Sequence, residues 1–133
     1  MAFPVDIQWV KETERKLGVR FPPSFVVSMT RLNGGSVQVG DDSYDLFSFL
    51  DCSDRKRIQR TCSSICRETE SNRKWDHFPQ QLVVIGDNGT GDLLVFAPSG
   101  DDPSHLQHAV YWYDHETSEI HHVADDFDEL NRN

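Results

Sequence analysis

The six histidines, His77, His105, His108, His115, His121 and His122, all lie in the C-terminal half and are the first residues to weigh for metal chemistry. His121 and His122 are adjacent, so on a strand they face opposite sides and cannot share one ion. His105-x-x-His108 has no companion cysteine and no His-Glu-x-x-His helix, whereas zinc needs three or four converging ligands. A metal-dependent hydrolase built on His105, His108 and neighbouring acids is therefore the weakest functional reading, and no metal or cofactor is expected. The run Asp87-Asn88-Gly89-Thr90-Gly91-Asp92 offers oxygens beside glycines, but lacks the alternate ligands and closing glutamate of an EF-hand. It reads as a tight turn. It is not a phosphate cradle either, since no Lys-Ser/Thr follows it. Cys62 and Cys66 lie four apart on one face of an expected helix and read as small buried hydrophobes. No serine or cysteine has the flanks of a G-x-S-x-G elbow, so no catalytic residue is assigned and the chain is read as a non-enzyme.

Charge gives a stronger lead. The 133 residues carry 22 acids against 13 bases, a net of −9. Residues 1–67 hold 10 bases and 8 acids, whereas residues 68–133 hold 3 bases and 14 acids, a net of −11 for that half. Such a field repels nucleic acid and anionic lipid and attracts basic partners, provided the acids cluster in space. The one basic cluster, Arg55-Lys56-Arg57-Ile58-Gln59-Arg60, has no interleaved aromatics and reads as a solvated helix face, or one paired with the acidic half, not a nucleic-acid site. The longest apolar runs, Leu82 to Ile85 and Leu93 to Ala97, fall far short of the roughly 20 residues that span a bilayer. The start shows no basic segment followed by an apolar stretch, and the cysteine count of three is odd; both favour a reducing cytoplasm.

The elements that must position these residues follow from periodicity. Asp6 caps a first helix with Ile7, Val10 and Leu17 at helical spacing, and Gly18 stops it. Pro22-Pro23 opens a second, with Phe25, Val26, Met29 and Leu32 inward and Asn33-Gly34-Gly35 at its end. Val37, Val39, Tyr44, Leu46, Phe47 and Phe49 suit short strands about an Asp41-Asp42-Ser43 turn. A third helix is expected from near Asp54 to Asn72, with Ile58, Cys62, Ile65 and Cys66 on one face. Leu82–Ile85 and Leu93–Phe96 form a hairpin buried on both faces. Ala109 to Tyr113 and Ile120 to Ala124 form a second, with Val110 and Trp112 pointing one way and Tyr111 and Tyr113 the other. Asp125 to Leu130 starts a short closing helix with acids at its positive end. The fold class is α+β within one domain, residues 1–133: an N-terminal helix pair, a twisted antiparallel sheet with packed helices, and a short C-terminal helix.

Four motifs in this order resemble the SUKH superfamily. Glu14-x-x-Leu17-Gly18-x-x-Phe21-Pro22-x-x-Phe25 with Asn33-Gly34-Gly35 resembles its opening helix pair. Leu82 to Asp92 is similar to its strand and glycine-rich turn, Val110 to Thr117 to its aromatic strand, and Ala124 to Leu130 to its closing helix. About Ser36 to Phe78 matches less well, Ser118 stands where the family often has a turn glycine, and Ala97-Pro98 stands where an acidic residue is common.

The resemblance implies a non-catalytic protein. Many bacterial members are immunity proteins that neutralise a toxin, often a nuclease; fungal relatives are regulators and scaffolds in cell-wall synthesis and signalling. With the acidic C-terminal half, the leading expectation is a cytoplasmic immunity protein that binds a basic cognate toxin, and no nucleic acid or membrane. A SUKH-type regulator or scaffold is the alternative. The expected contact residues are Asp41, Asp42, Asp101, Asp102, Asp114 and Glu116, all in expected turns, with Tyr111 or Tyr113 as an aromatic anchor.

Overall fold

The computed structural model describes residues 3–132. Helix α1 (Ile7–Leu17) is capped as its sequence dictates: the Asp6 carboxylate accepts the Gln8 N–H, and Gly18 adopts φ 68°. The Glu14 side chain then accepts the Phe21 N–H at 2.8 Å, tying the turn after α1 to the start of α2 (Pro23–Arg31). Asn33 is buried and brackets Phe49, its amide donating to the Phe49 carbonyl at 2.9 Å and its oxygen accepting the Phe49 N–H at 2.8 Å. The Glu14-to-Phe21 and Asn33 motifs are thus structural clamps.

Strands β1 (Ser36–Val39), β2 (Asp42–Leu46), β3 (Val83–Asp87), β4 (Leu93–Phe96), β5 (Val110–Asp114), β6 (Glu119–Ala124) and β7 (Asn131–Arg132) form one sheet. Its order is β6-β5-β4-β3-β2-β1-β7, and every neighbouring pair is antiparallel. On one face α1, α2 and the segment between them bury Val10, Phe21, Phe25 and Met29 against Val37, Val83, Ile85, Leu94, Phe96 and Val110. Phe25 sits at the centre, with the rings of Phe21, Phe49, Phe96 and Phe127 between 4.9 and 5.8 Å from its own. The opposite face is smaller: Phe78, from the segment after α4 (Ile65–Asn72), packs with Leu82, Val84, Leu93, Val95 and Tyr113. Burial on both sides explains the continuous apolar sequences of β3 and β4. As expected, Trp112 packs toward the first face, and Tyr111 and Tyr113 toward the second.

The structure corrects three expectations. The helix expected from Asp54 to Asn72 is two helices, α3 (Arg55–Arg60) and α4. Thr61 ends the first, its hydroxyl donating to the Arg57 carbonyl and accepting the Asp51 N–H, while the Ser64 side chain caps the second. Two capped helices turn their faces independently, so Ile58 and Cys62 are exposed and Cys62 is no core residue. Cys66 is half-buried; burial, then Glu70, pushes its thiol up to about 11. Strand β2 begins at Asp42, so the first turn is Gly40-Asp41. The closing helix is one 3₁₀ turn, Phe127–Glu129, because Leu130 returns to extended backbone and leads into β7. There Arg132 donates to carbonyls of Ser28, Leu32 and Gly34 at the exposed end of α2.

Candidate functional site

In a sheet whose neighbours all run antiparallel, the β1–β2, β3–β4 and β5–β6 turns must emerge at the same end. That end is acidic. It carries Asp41, Asp42 and Asp45 from the first hairpin, Asp87 and Asp92 from the second, and Asp114, Glu116 and Glu119 from the third. No lysine or arginine occurs within residues 40–46, 87–92 or 114–119.

Each turn is held by its own polar side chains. The Asn88 oxygen accepts the Thr90 N–H and hydroxyl, and the Asp114 carboxylate accepts the Glu116 N–H, so short side chains bend the backbone locally. Gly91, at φ 108°, is where the His115 ring packs; a Cβ there would lie 3.1 Å from the imidazole. Gly86 lets β2 approach β3, since a Cβ would meet the Asp45 carbonyl oxygen at 2.7 Å. Ser118 turns the third hairpin at φ 62°, a left-handed conformation that favours glycine.

The acids feel one another. Asp45 and Asp87 are directly opposite across β2 and β3. Burial, and then the Asp45 charge, raise the Asp87 pKa. Burial pushes the Tyr44 phenol up to about 12, with the charges of Asp92, Asp42 and Asp114 adding to it. Burial opposes ionisation of Asp92, but hydrogen bonds from the His115 side chain and backbone outweigh it and hold its pKa low. The same bond, 2.6 Å from His115 Nδ1 to Asp92, raises the imidazole pKa against partial desolvation. Asp92, Asp114 and His115 bring one ligand atom each within 4.8 Å of one another. In the described geometry His115 Nδ1 lies 2.6 Å from Asp92, with the Asp114 carboxylate beside the pair.

Of the expected contact residues, Asp41, Asp42, Asp114 and Glu116 come together at this end. Asp101 and Asp102 do not: they sit in the β4–β5 connection, at the opposite end of the sheet, where Asp102 bonds Ser104 and lies 2.8 Å from His105. Tyr111 is half-buried, its hydroxyl donating to Gln107, and Tyr113 is buried against Phe78 with ring centres 5.1 Å apart. The aromatic exposed near the acidic end is Trp75, 65% accessible. With Asn72, His77, Phe78, Gly91, Leu93, Tyr113 and His115 it lines an open cleft of about 310 Å³. The sequence reading missed Asp45, Asp87, Asp92, Glu119 and Trp75; strand alternation around the turns was the available signal for the acids. Trp75 follows a helix and has no periodic context.

The histidines are dispersed. His105 pairs with Asp102, His108 lies 3.6 Å from Asp126, His122 lies 2.8 Å from Asp125, and His121 stacks on Trp112 at 4.7 Å. The basic cluster is held beyond the far end of β2: the Arg57 and Arg60 guanidinium groups lie 5.2 and 4.8 Å from the Phe3 ring centre, and Arg57 is 3.5 Å from Asp51. Among the described residues no helix is long and apolar enough to cross a membrane.

The fold is α+β, with three hairpin turns at one end of an antiparallel sheet. The chain belongs to the SMI1/KNR4 family (SUKH-1), whose model matches residues 4–132. Members are in general non-catalytic immunity or regulatory proteins, which is the functional range the family supports here. No curated protein and no solved structure matches the chain.

Proposed function

We propose that this protein is a cytoplasmic immunity protein that binds and neutralises a basic protein toxin through the acidic end of its sheet. The observation that carries the reading is the gathering of eight carboxylates from three hairpins at one end, with no lysine or arginine in those segments. A nuclease must keep lysines and arginines in its cleft to grip phosphate, so an acidic protein surface matches the field its substrate would supply. Complementary charge steers encounter to about 10⁸–10⁹ M⁻¹s⁻¹ at low salt, and affinity then rests on a few desolvated anchors. Asp41, Asp42, Asp114 and Glu116 are the surface acids assigned to steering; Asp101 and Asp102, at the other end, are not part of this contact.

The test is co-expression with the product of the adjacent reading frame. Rescue of cells from that product is the expected result, and the variant with Asp41, Asp42 and Glu116 all changed to lysine is expected to melt normally yet fail to rescue. A toxic neighbour that kills despite the wild-type chain refutes the reading. Binding of a non-toxic partner with no protection would move the protein to the regulatory branch of its family.

A further inference from the structure

Beside the acidic turns, the second face of the sheet holds an aromatic cleft that the electrostatic reading leaves unused. Its floor is Leu93, Tyr113 and Phe78; Trp75 stands exposed at its mouth, with His77, His115 and Gly91 around it. Trp75 is exposed beside a buried aromatic floor, and tryptophan is enriched among the residues that anchor protein contacts. The surrounding charge selects that partner. Asp87 pairs with Leu93 in the sheet register and therefore shares its face, and Asp45 stands opposite Asp87. The cations nearby in sequence are Arg73, which donates to the Leu82 carbonyl, and exposed Lys74; Asp76 offsets one of them.

We infer that this cleft is a socket for an arginine side chain of the partner, its guanidinium stacked on Trp75 and its N–H edge turned toward the Asp87 side of the cleft. Arginine fits better than lysine. A planar, weakly hydrated guanidinium stacks on a flat indole while donating in-plane to carboxylates, which a compact, strongly hydrated ammonium cannot do. An apolar side chain would satisfy the floor and leave Asp87, next to Leu93 on the same face, without a donor. The inference rests on the proposal of a basic partner and adds the identity of its anchor.

The experiment uses hexa-arginine, hexa-lysine and hexa-citrulline peptides with the full chain at pH 8 and physiological salt. Affinity is measured by titration, and the Trp75 indole N–H is followed by NMR. The expected result is binding of hexa-arginine with a shift of the Trp75 signal, weaker binding of hexa-lysine, and none of hexa-citrulline. Trp75→Ala should weaken hexa-arginine about two- to fivefold, the scale of an exposed cation–π contact, and erase its advantage over hexa-lysine. Asp87→Asn should weaken both cationic peptides. If both cationic peptides bind equally and Trp75→Ala changes neither, the socket is refuted while the acidic surface stands. If neither binds, the basic-partner reading fails as well. Because Trp75 is exposed, an unchanged melting temperature for Trp75→Ala separates loss of the socket from loss of the fold.

Discussion

Replacing Asp87 with asparagine should make the protein more stable at neutral pH and a poorer binder of cationic peptides. Asp87 and Asp45 occupy directly opposite positions on β3 and β2, where Cβ atoms are about 5 Å apart and like charges oppose strand pairing. Burial and the Asp45 charge raise the Asp87 pKa above its ordinary 3.8. A carboxyl with a raised folded pKa binds more protons in the folded than in the unfolded state between the two values, so stability falls as pH rises through that window. The penalty is absent below the ordinary value and complete at pH 7. Two unit charges about 5 Å apart in a water-like dielectric repel by about 0.8 kcal/mol. A Debye length of about 8 Å at physiological salt leaves roughly half of that. Relief of the partial burial adds to it, giving a gain of about 0.5–1 kcal/mol for Asp87→Asn, close to the range of measured cross-strand pairs. For a chain of this length the melting temperature should rise by about 2–4 °C. Thermal melts at pH 7 and pH 3, in 0.15 and 1 M salt, check each part: the gain should shrink at high salt and vanish at pH 3, where the carboxyl is protonated. Destabilisation at pH 7, or a gain that persists unchanged at pH 3, would show that the two carboxylates do not repel and would refute the reasoning. Opposite movements of stability and binding in one variant would mark a charge pair retained for contact.

Ser118→Gly should stabilise the third hairpin by about 0.5–1 kcal/mol, because glycine adopts φ 62° without Cβ strain but loses more backbone freedom on folding; a urea titration that shows no gain would count against the left-handed turn. Asn33→Ala removes both hydrogen bonds to the buried Phe49 backbone and should cost about 2–4 kcal/mol with little change in the urea m-value. The His115 imidazole should titrate above its ordinary 6.5 in an NMR experiment and return toward it in Asp92→Asn. The raised folded pKa makes the stabilisation by this pair full below the unfolded value and lost as pH rises through the folded one. Cys66, with its thiol pushed up to about 11, should react with a thiol reagent at pH 8 well after exposed Cys52 and Cys62; three equally fast thiols would contradict its half-buried setting.

The elements governed by nearest neighbours were legible in the sequence: the Asp6 and Gly18 caps, the proline opening of α2, the doubly buried β3–β4 hairpin and the alternation of Trp112 against Tyr113. Periodicity failed between Asp54 and Asn72 because a buried threonine and a serine cap divide that stretch, and a period-3.6 pattern does not register a break whose hydrogen bonds come from Asp51, elsewhere in the chain. Composition marked the C-terminal half as acidic, but charge along a chain does not say which carboxylates become neighbours. The antiparallel order of the sheet decided that: it carried Asp41 and Asp42 from the less acidic half to the same end as Asp114 and Glu116, and sent Asp101 and Asp102 to the other. Tertiary packing also chose the aromatic that faces solvent, covering Tyr113 with Phe78 and leaving Trp75 outside. Local propensities act over a few residues and so can be read directly, whereas a surface forms from segments that meet only after strand order and coverage have fixed where each one ends.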